Sequence, residues 1–223
     1  MGAWSDYALS DFLMFAPETY FRLFERINAT FWPVATAALT ALLLLIGLAR
    51  HRSVMAGRSL YLLLAAVWAW IAWAFLYRLY APINLAAVWF AMAFVIQALL
   101  LMWSGVRTSA APQLRIHLPG LLLLVYALLV HPVIGVVVGR GWQGIELFGL
   151  APDATALVTL AILLMSVGAR SAVLVVIPLL WCLVSGLTYW AMGLAYGALT
   201  PLAAISATVV TVWLRRPSHA TTT

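Results

Sequence analysis

Apolar residues along this chain come in long unbroken runs rather than in alternation. The runs are Ala29 to Leu48, Ser59 to Tyr80, Ile83 to Gly105, Leu118 to Val138, Pro152 to Gly168, Ser171 to Trp190 and Leu194 to Leu214. Roughly 20 apolar residues carry a helix across the hydrocarbon core of a bilayer. Strands of a membrane barrel would instead alternate apolar and polar positions. The pattern predicts an all-α fold: a polytopic transmembrane helical bundle of about seven spans.

Ahead of the first run, the segment APETYFRLFERIN places Tyr20, Phe21, Phe24 and Ile27 at helical spacing. Glu18, Arg22, Glu25 and Arg26 fall on the opposite face. This predicts an amphipathic helix lying in the outer interface or running straight into the first span. The expected division is residues 1–28 as an interfacial segment, 29–214 as the seven-helix bundle and 215–223 as a tail.

Composition agrees with the runs. The chain is 66% hydrophobic and 8% charged, about a third of the charge density a water-facing surface needs. A net charge of +6 raises the question of nucleic acid. All twelve basic residues are arginine, however, standing singly or in pairs between apolar runs. That spacing marks loop ends, not a phosphate-tracking stripe, and no nucleic-acid partner is expected.

Arginine placement also orients the bundle. Arg50, Arg52, Arg58, Arg107, Arg115, Arg170, Arg215 and Arg216 fall on one side, and Arg22, Arg26, Arg78 and Arg140 on the other. The N-terminus is therefore expected outside and the C-terminus in the cytoplasm, with all six acids (Asp6, Asp11, Glu18, Glu25, Glu146 and Asp153) outside. The start of the chain lacks a basic stretch and does not read as a cleaved signal peptide. Trp4, Trp32, Trp142 and Trp190 on one side, with Trp103 and Trp213 on the other, fit interfacial belts.

The fifth run is short. From Pro152 to Gly168 a helix rises about 25 Å, less than the ~30 Å hydrocarbon core. Either the preceding IELFGLA, broken by Gly149 and Pro152, dips into the membrane as irregular backbone, or the helix sits in a tilted or thinned-bilayer fit. Three runs open alike, as APINLAAV, APDATALV and TPLAAISA. Three repeated hairpins behind a leading helix would produce this, and so would ordinary proline chemistry at helix starts.

Few groups inside the runs can do chemistry. His131, in the outer part of the fourth run, precedes Pro132, which removes a helical hydrogen bond. Ionisable groups at membrane depth are costly and call for a functional hypothesis. Glu146 and Asp153 flank the short fifth run, and Arg78, Arg140, Asn84 and Gln143 share its level. The candidate substrate-binding set is His131, Glu146, Asp153, Arg78 and Arg140, lining an outward-facing polar vestibule.

The bland alternatives are a helix cap for Asp153, snorkelling arginines and a histidine satisfied by its neighbours. One cysteine, Cys182, excludes an intrachain disulfide and a thiolate metal cluster. No lysine is present to form a Schiff base. Trp181, Cys182 and Ser185 form a polar strip in the sixth run, with Ser185 and Gly186 suited to close helix packing. His117 and His131 share a helix face, as a haem would need, but no facing pair lies within a run. No cofactor, metal or catalytic residue is expected.

Three stretches carry a resemblance: YALSDFLMFAPETYFRLFERIN, IELFGLAPDATAL and IPLLWCLVSGLTYWAMG. Together they resemble a bacterial family of multi-pass membrane proteins of unknown function, some of whose members carry permease labels. The resemblance runs over nearly the whole chain and implies placement in the bacterial inner membrane.

The leading functional expectation is a small permease or solute-binding transporter. The alternatives are a non-catalytic subunit or assembly factor of a larger membrane complex, and a haem-bearing redox protein. The lipid bilayer is the expected partner, with a homo-oligomer or larger membrane complex beyond it.

Overall fold

The computed structural model describes residues 15–51, 53–107, 114, 116–166 and 171–215. Trp4, Asp6, Asp11, Arg52, Arg115, Arg170, Arg216 and His219 lie outside the described residues, as do the first part of the N-terminal segment and most of the tail.

The helices are α1 (Pro17–Ala49), α2 (Val54–Ile71), α3 (Ala87–Arg107), α4 (Leu118–Val125), α5 (His131–Val137), α6 (Pro152–Met165), α7 (Ser171–Ala191) and α8 (Leu199–Leu214). Wide π-helical turns over Ala72–Tyr80 and Tyr126–Val130 extend α2 and join α4 to α5. Among the described residues the only extended pairing is a single bridge between Leu114 and Ser166.

Among the described residues, six helical rods are long and apolar enough to cross a membrane: Pro17–Ala49, Val54–Tyr80, Ala87–Arg107, Leu118–Val137, Ala172–Ala191 and Ala195–Leu214. The remaining run forms α6, of only 14 residues. Exposure is inverted relative to a water-soluble domain. Leu85 is 73% exposed and Val137 78%, whereas Glu146 is 1% and Asp153 2% exposed. Water would penalise such an apolar surface; lipid does not. The chain is a multi-pass membrane protein.

α6 occupies the centre. Every residue from Pro152 to Met165 is buried, as expected of a helix apolar on all sides. No face of α6 meets lipid, so bilayer tilt or thinning does not explain its length. Protein partners close its far end instead. Arg215 donates to the carbonyls of Leu164 and Ser166, and His117 Nε2 lies 2.8 Å from the Leu164 oxygen. Carbonyls at a helix C-terminus lack intrahelical partners, and these side chains supply them. Trp68 of α2 donates to Thr159 Oγ1 at 2.8 Å, fixing α6 against the flanking bundle.

The polypeptide reaches α6 through a buried irregular segment, residues 144–151. Gly149, at φ +87°, stands where an added Cβ would lie 3.1 Å from the Ala38 Cβ of α1. Ala38 is eleven residues from the Ala49 end of α1, about 16 Å along the helix. The segment therefore runs between the helices, packed on α1 well short of either of its ends. It is tolerated there because it packs on protein. Asn28 of α1 holds it, its Nδ2 donating to the carbonyls of Gln143 at 2.8 Å and Ile145 at 2.7 Å.

α1 is kinked at Phe31 (φ −124°, ψ 17°), two residues before Pro33. The ring of Pro33 crowds the preceding turn and its missing N–H breaks the ladder. Below the kink, the face with Tyr20, Leu23, Phe24 and Ile27 is buried. Tyr20 meets Tyr80 at 5.3 Å and Tyr189 at 6.2 Å between ring centroids, and Phe24 stacks on Phe75 at 4.9 Å. The amphipathic pattern is present, but its apolar face is turned onto the ends of α2 and α7 and not onto lipid. A roof results.

The three similar run openings adopt different local structures. Pro82 lies in a turn before α3, Pro152 opens α6, and Pro201 follows a 3-10 turn at the start of α8. Their resemblance does not extend to backbone conformation.

Candidate functional site

Four charged or chargeable side chains from separate segments meet beneath this roof. His131 opens α5, Arg140 follows it, Glu146 lies on the descending segment and Asp153 begins α6. His131 Nε2 is 3.2 Å from Glu146 Oε2, and Arg140 Nη1 donates to Glu146 Oε1 at 2.7 Å. Tyr189 of α7 donates its hydroxyl to the same Oε1 at 2.6 Å and accepts from Arg140 Nη1 at 3.2 Å.

Asp153 takes the indole N–H of Trp181 at 2.7 Å on one oxygen and the hydroxyl of Ser185 on the other. His131, Glu146 and Asp153 each offer a ligand atom within 4.8 Å of the other two.

Local chemistry explains how these groups converge. Pro132 has no N–H to give to the carbonyl of Leu128. The helix widens over Tyr126–Val130, and the His131 N–H pairs with Tyr126 instead. Wide turns of this kind reorient the side chains that follow them. Trp181, Ser185 and Tyr189 are four residues apart on α7, so all three project from one face. Gly197 keeps Tyr189 in place, because a Cβ there would fall 2.0 Å from the Tyr189 Cβ.

Electrostatics bind the cluster together. The cost of burying the Glu146 charge is offset by the three partners packed on its carboxyl, His131, Arg140 and Tyr189. Burial works against the Arg140 charge too, and Glu146, with the Tyr189 and Tyr196 hydroxyls, raises its hold on the proton above the ordinary value. The guanidinium also lies over the rings of Phe21 at 4.6 Å and Tyr196 at 5.7 Å.

Beside the cluster is a small cleft lined by Tyr126, His131, Ile134, Arg140, Glu146, Tyr189, Tyr196, Gly197 and Thr200, of about 10 Å³. That is room for roughly one water. Arg140 Nε is buried beside it without a hydrogen-bond partner.

Of the sequence candidates, the structure brings together His131, Arg140, Glu146 and Asp153. It does not bring Arg78 to them: that side chain is exposed, its guanidinium 5.5 Å from the centroid of the Trp73 ring. Asn84 is occupied with the Tyr80 hydroxyl and the Ala86 N–H, and the Gln143 side chain is exposed. An open vestibule lined by all these groups is not what the fold builds; the four-residue cluster is enclosed.

His117 commits both ring nitrogens elsewhere, one to Gly120 N–H and the other to the Leu164 carbonyl. It therefore does not share a ligand with His131. The residues that sequence reasoning passed over are Asn28, Tyr189 and Tyr126, and for Trp181 and Ser185 it saw packing rather than Asp153. The four-residue spacing on α7 was the available signal.

Chemically, the cluster sets two carboxyls and an imidazole, all potential cation ligands, against one guanidinium. His131, Glu146 and Asp153 could hold a metal ion, a capacity the sequence did not reveal because its three ligands lie on three separate segments.

No curated protein and no solved structure matches this chain. Residues 17–221 match the Family of unknown function (DUF6064), and with that match spanning nearly its whole length, the chain belongs to this family.

Proposed function

We propose that this protein is a small permease-like carrier of the bacterial inner membrane, with the His131–Glu146–Asp153 cluster as its cation-binding site. The observation that carries the reading is the burial of Arg140, Glu146, His131 and Asp153 against a broken, descending backbone segment. Ionisable groups at membrane depth are retained mainly for ion or substrate pathways, and carriers place such sites where helices are interrupted. With both carboxyls ionised and His131 neutral, the charges of Glu146, Asp153 and Arg140 sum to −1, which favours a positively charged ligand. The one-water cleft fits an occluded state.

Seven crossings, an outside N-terminus and a cytoplasmic C-terminus belong to the same proposal. Arginine asymmetry supports them. So does α6, whose two ends lie among different side chains: Trp181 and Ser185 near its start, Arg215 and His117 near its end.

The test is cation-triggered current on a solid-supported membrane carrying the reconstituted protein. Sodium, potassium, methylammonium and manganese jumps would be compared between the native chain and the His131→Gln and Glu146→Gln variants. A protein-dependent current lost in both variants is expected. Absence of any current, or currents unchanged in both variants, would overturn the reading.

A second reading, a non-catalytic subunit of a larger membrane complex, draws on the apolar groove between the α2 extension and α3. It is lined by Trp73, Tyr77, Val88, Met92, Val95 and Ile96, with about 450 Å³ of space. Co-purification of a stoichiometric partner in gentle detergent would favour it.

A further inference from the structure

We propose that His131, Glu146 and Asp153 form a site for one divalent transition-metal ion, with a fourth position open toward the cleft beside Tyr126 and Arg140. As a statement about cargo this rests on the permease reading above; as a binding site it stands on geometry alone.

The donor set selects the class of ion. One imidazole and two carboxylates suit manganese, iron, cobalt or zinc, whereas calcium, magnesium and the alkali ions prefer oxygen throughout. Distances agree. Two ligands each ~2.1 Å from a common metal lie about 3.2–3.4 Å apart at bond angles near 100–110°. His131 Nε2 and Glu146 Oε2 are 3.2 Å apart. Asp153 completes a group within 4.8 Å, so side-chain movement of at most about 1.5 Å brings all three onto one ion.

The surroundings also resemble a metal site. Ligating carboxylates are normally held by outer hydrogen bonds that fix their orientation. Asp153 has Trp181 and Ser185, and Glu146 has Arg140 and Tyr189, both on Oε1. Oε2 is bonded only to His131 Nε2, and an ion binding between them would take the place of the shared proton.

A separate observation points to a further ligand. The Arg140 side chain is 8% exposed, and its Nε is buried without a partner. Arg140 lines the cleft, which has room for about one water. A metal-bound water in the open position would give this N–H the acceptor it lacks. Metal sites that exchange or act on ligands keep such a position, and purely structural sites are closed. Arg140 also stands close enough to weaken cation binding, which suits an ion that must be released.

The test uses the full-length protein in detergent, titrated with cobalt(II) and followed by visible absorption and by quenching of tryptophan fluorescence. One saturable equivalent is expected, weakened at least tenfold in Asp153→Asn and in His131→Gln, and unchanged in His51→Gln, where the histidine is exposed. Asp153→Asn keeps an acceptor for Trp181, so it reports on the site if His131→Gln fails to fold.

No saturable binding, or binding indifferent to both site variants, would overturn the proposal. So would equal loss in His51→Gln. The two proposals fail separately. Cobalt binding without any cation current keeps the metal site and removes the carrier. A monovalent current that is lost in Glu146→Gln, with no cobalt binding, keeps the carrier and removes the metal.

Discussion

Glu146 is the residue on which the buried cluster turns, since His131, Arg140 and Tyr189 all point at its two oxygens. Truncating one partner of a buried charged pair typically costs about 3–5 kcal/mol, because the other charge is left uncompensated. Glu146→Ala is expected to lose that much in reversible unfolding from mixed micelles. Tyr189→Phe removes one hydroxyl from a carboxylate that keeps two other partners. It should cost about 1.5–3 kcal/mol, the range for a hydrogen bond to a charged group. A Tyr189→Phe loss as large as that of Glu146→Ala would show that the ring, not the hydroxyl, is what matters. The sequence shows the chargeable residues at this scale but not their pairing. Arg78 and Arg140 look alike as loop-end arginines, and only one is folded inward.

Two elements place the cluster, and each can be tested. Asn28 holds the descending segment through two carbonyls. Asn28→Ala leaves both without that donor, at about 1–3 kcal/mol for each carbonyl that water does not reach. Hydrogen exchange over residues 143–151 should accelerate while α3 exchange is unchanged; uniform acceleration would mean global destabilisation instead. The wide turn at Tyr126–Val130 is the second element. Pro132→Ala restores an N–H and permits ordinary helical register. It is expected to turn His131 away from Glu146, weakening cobalt binding while leaving thermal stability equal or higher. Unchanged cobalt binding would show that the turn does not depend on proline. IELFGLA and HP signal irregularity in the sequence, yet neither says which direction the chain takes, because that depends on α1 and α6 being present to receive it.

At the scale of the whole molecule, the arrangement is a ring of lipid-facing helices around α6. Cys182 offers a direct check, being the chain's single cysteine and buried. Membrane-permeant and aqueous maleimides are both expected to leave it unlabelled in the folded protein and to label it fully after denaturation. Rapid labelling in native membranes would mean that the α6–α7 contact opens. The bundle itself was legible at this scale. Runs of about 20 apolar residues are a direct consequence of bilayer thickness, and each run holds a helix, although α1 begins at Pro17, well ahead of Ala29. The interior position of α6 was not legible, because an apolar helix looks the same whether lipid or protein surrounds it.

The sequence by itself determined that this protein is helical and built for lipid, roughly where its helices lie, and which few residues could carry charge into the bundle. Those properties are local: they follow from hydropathy, proline and arginine placement, each read within a window of a few turns. The tertiary structure alone decided that α6 is central, that α1 roofs the bundle, and that His131, Arg140, Glu146 and Asp153 meet while Arg78 stays outside. These outcomes depend on which faces pack together across more than a hundred residues of sequence, as with Asn28 and Ile145, 117 apart. The energy of a buried charge is set by the partners packing brings to it, and no local pattern encodes them.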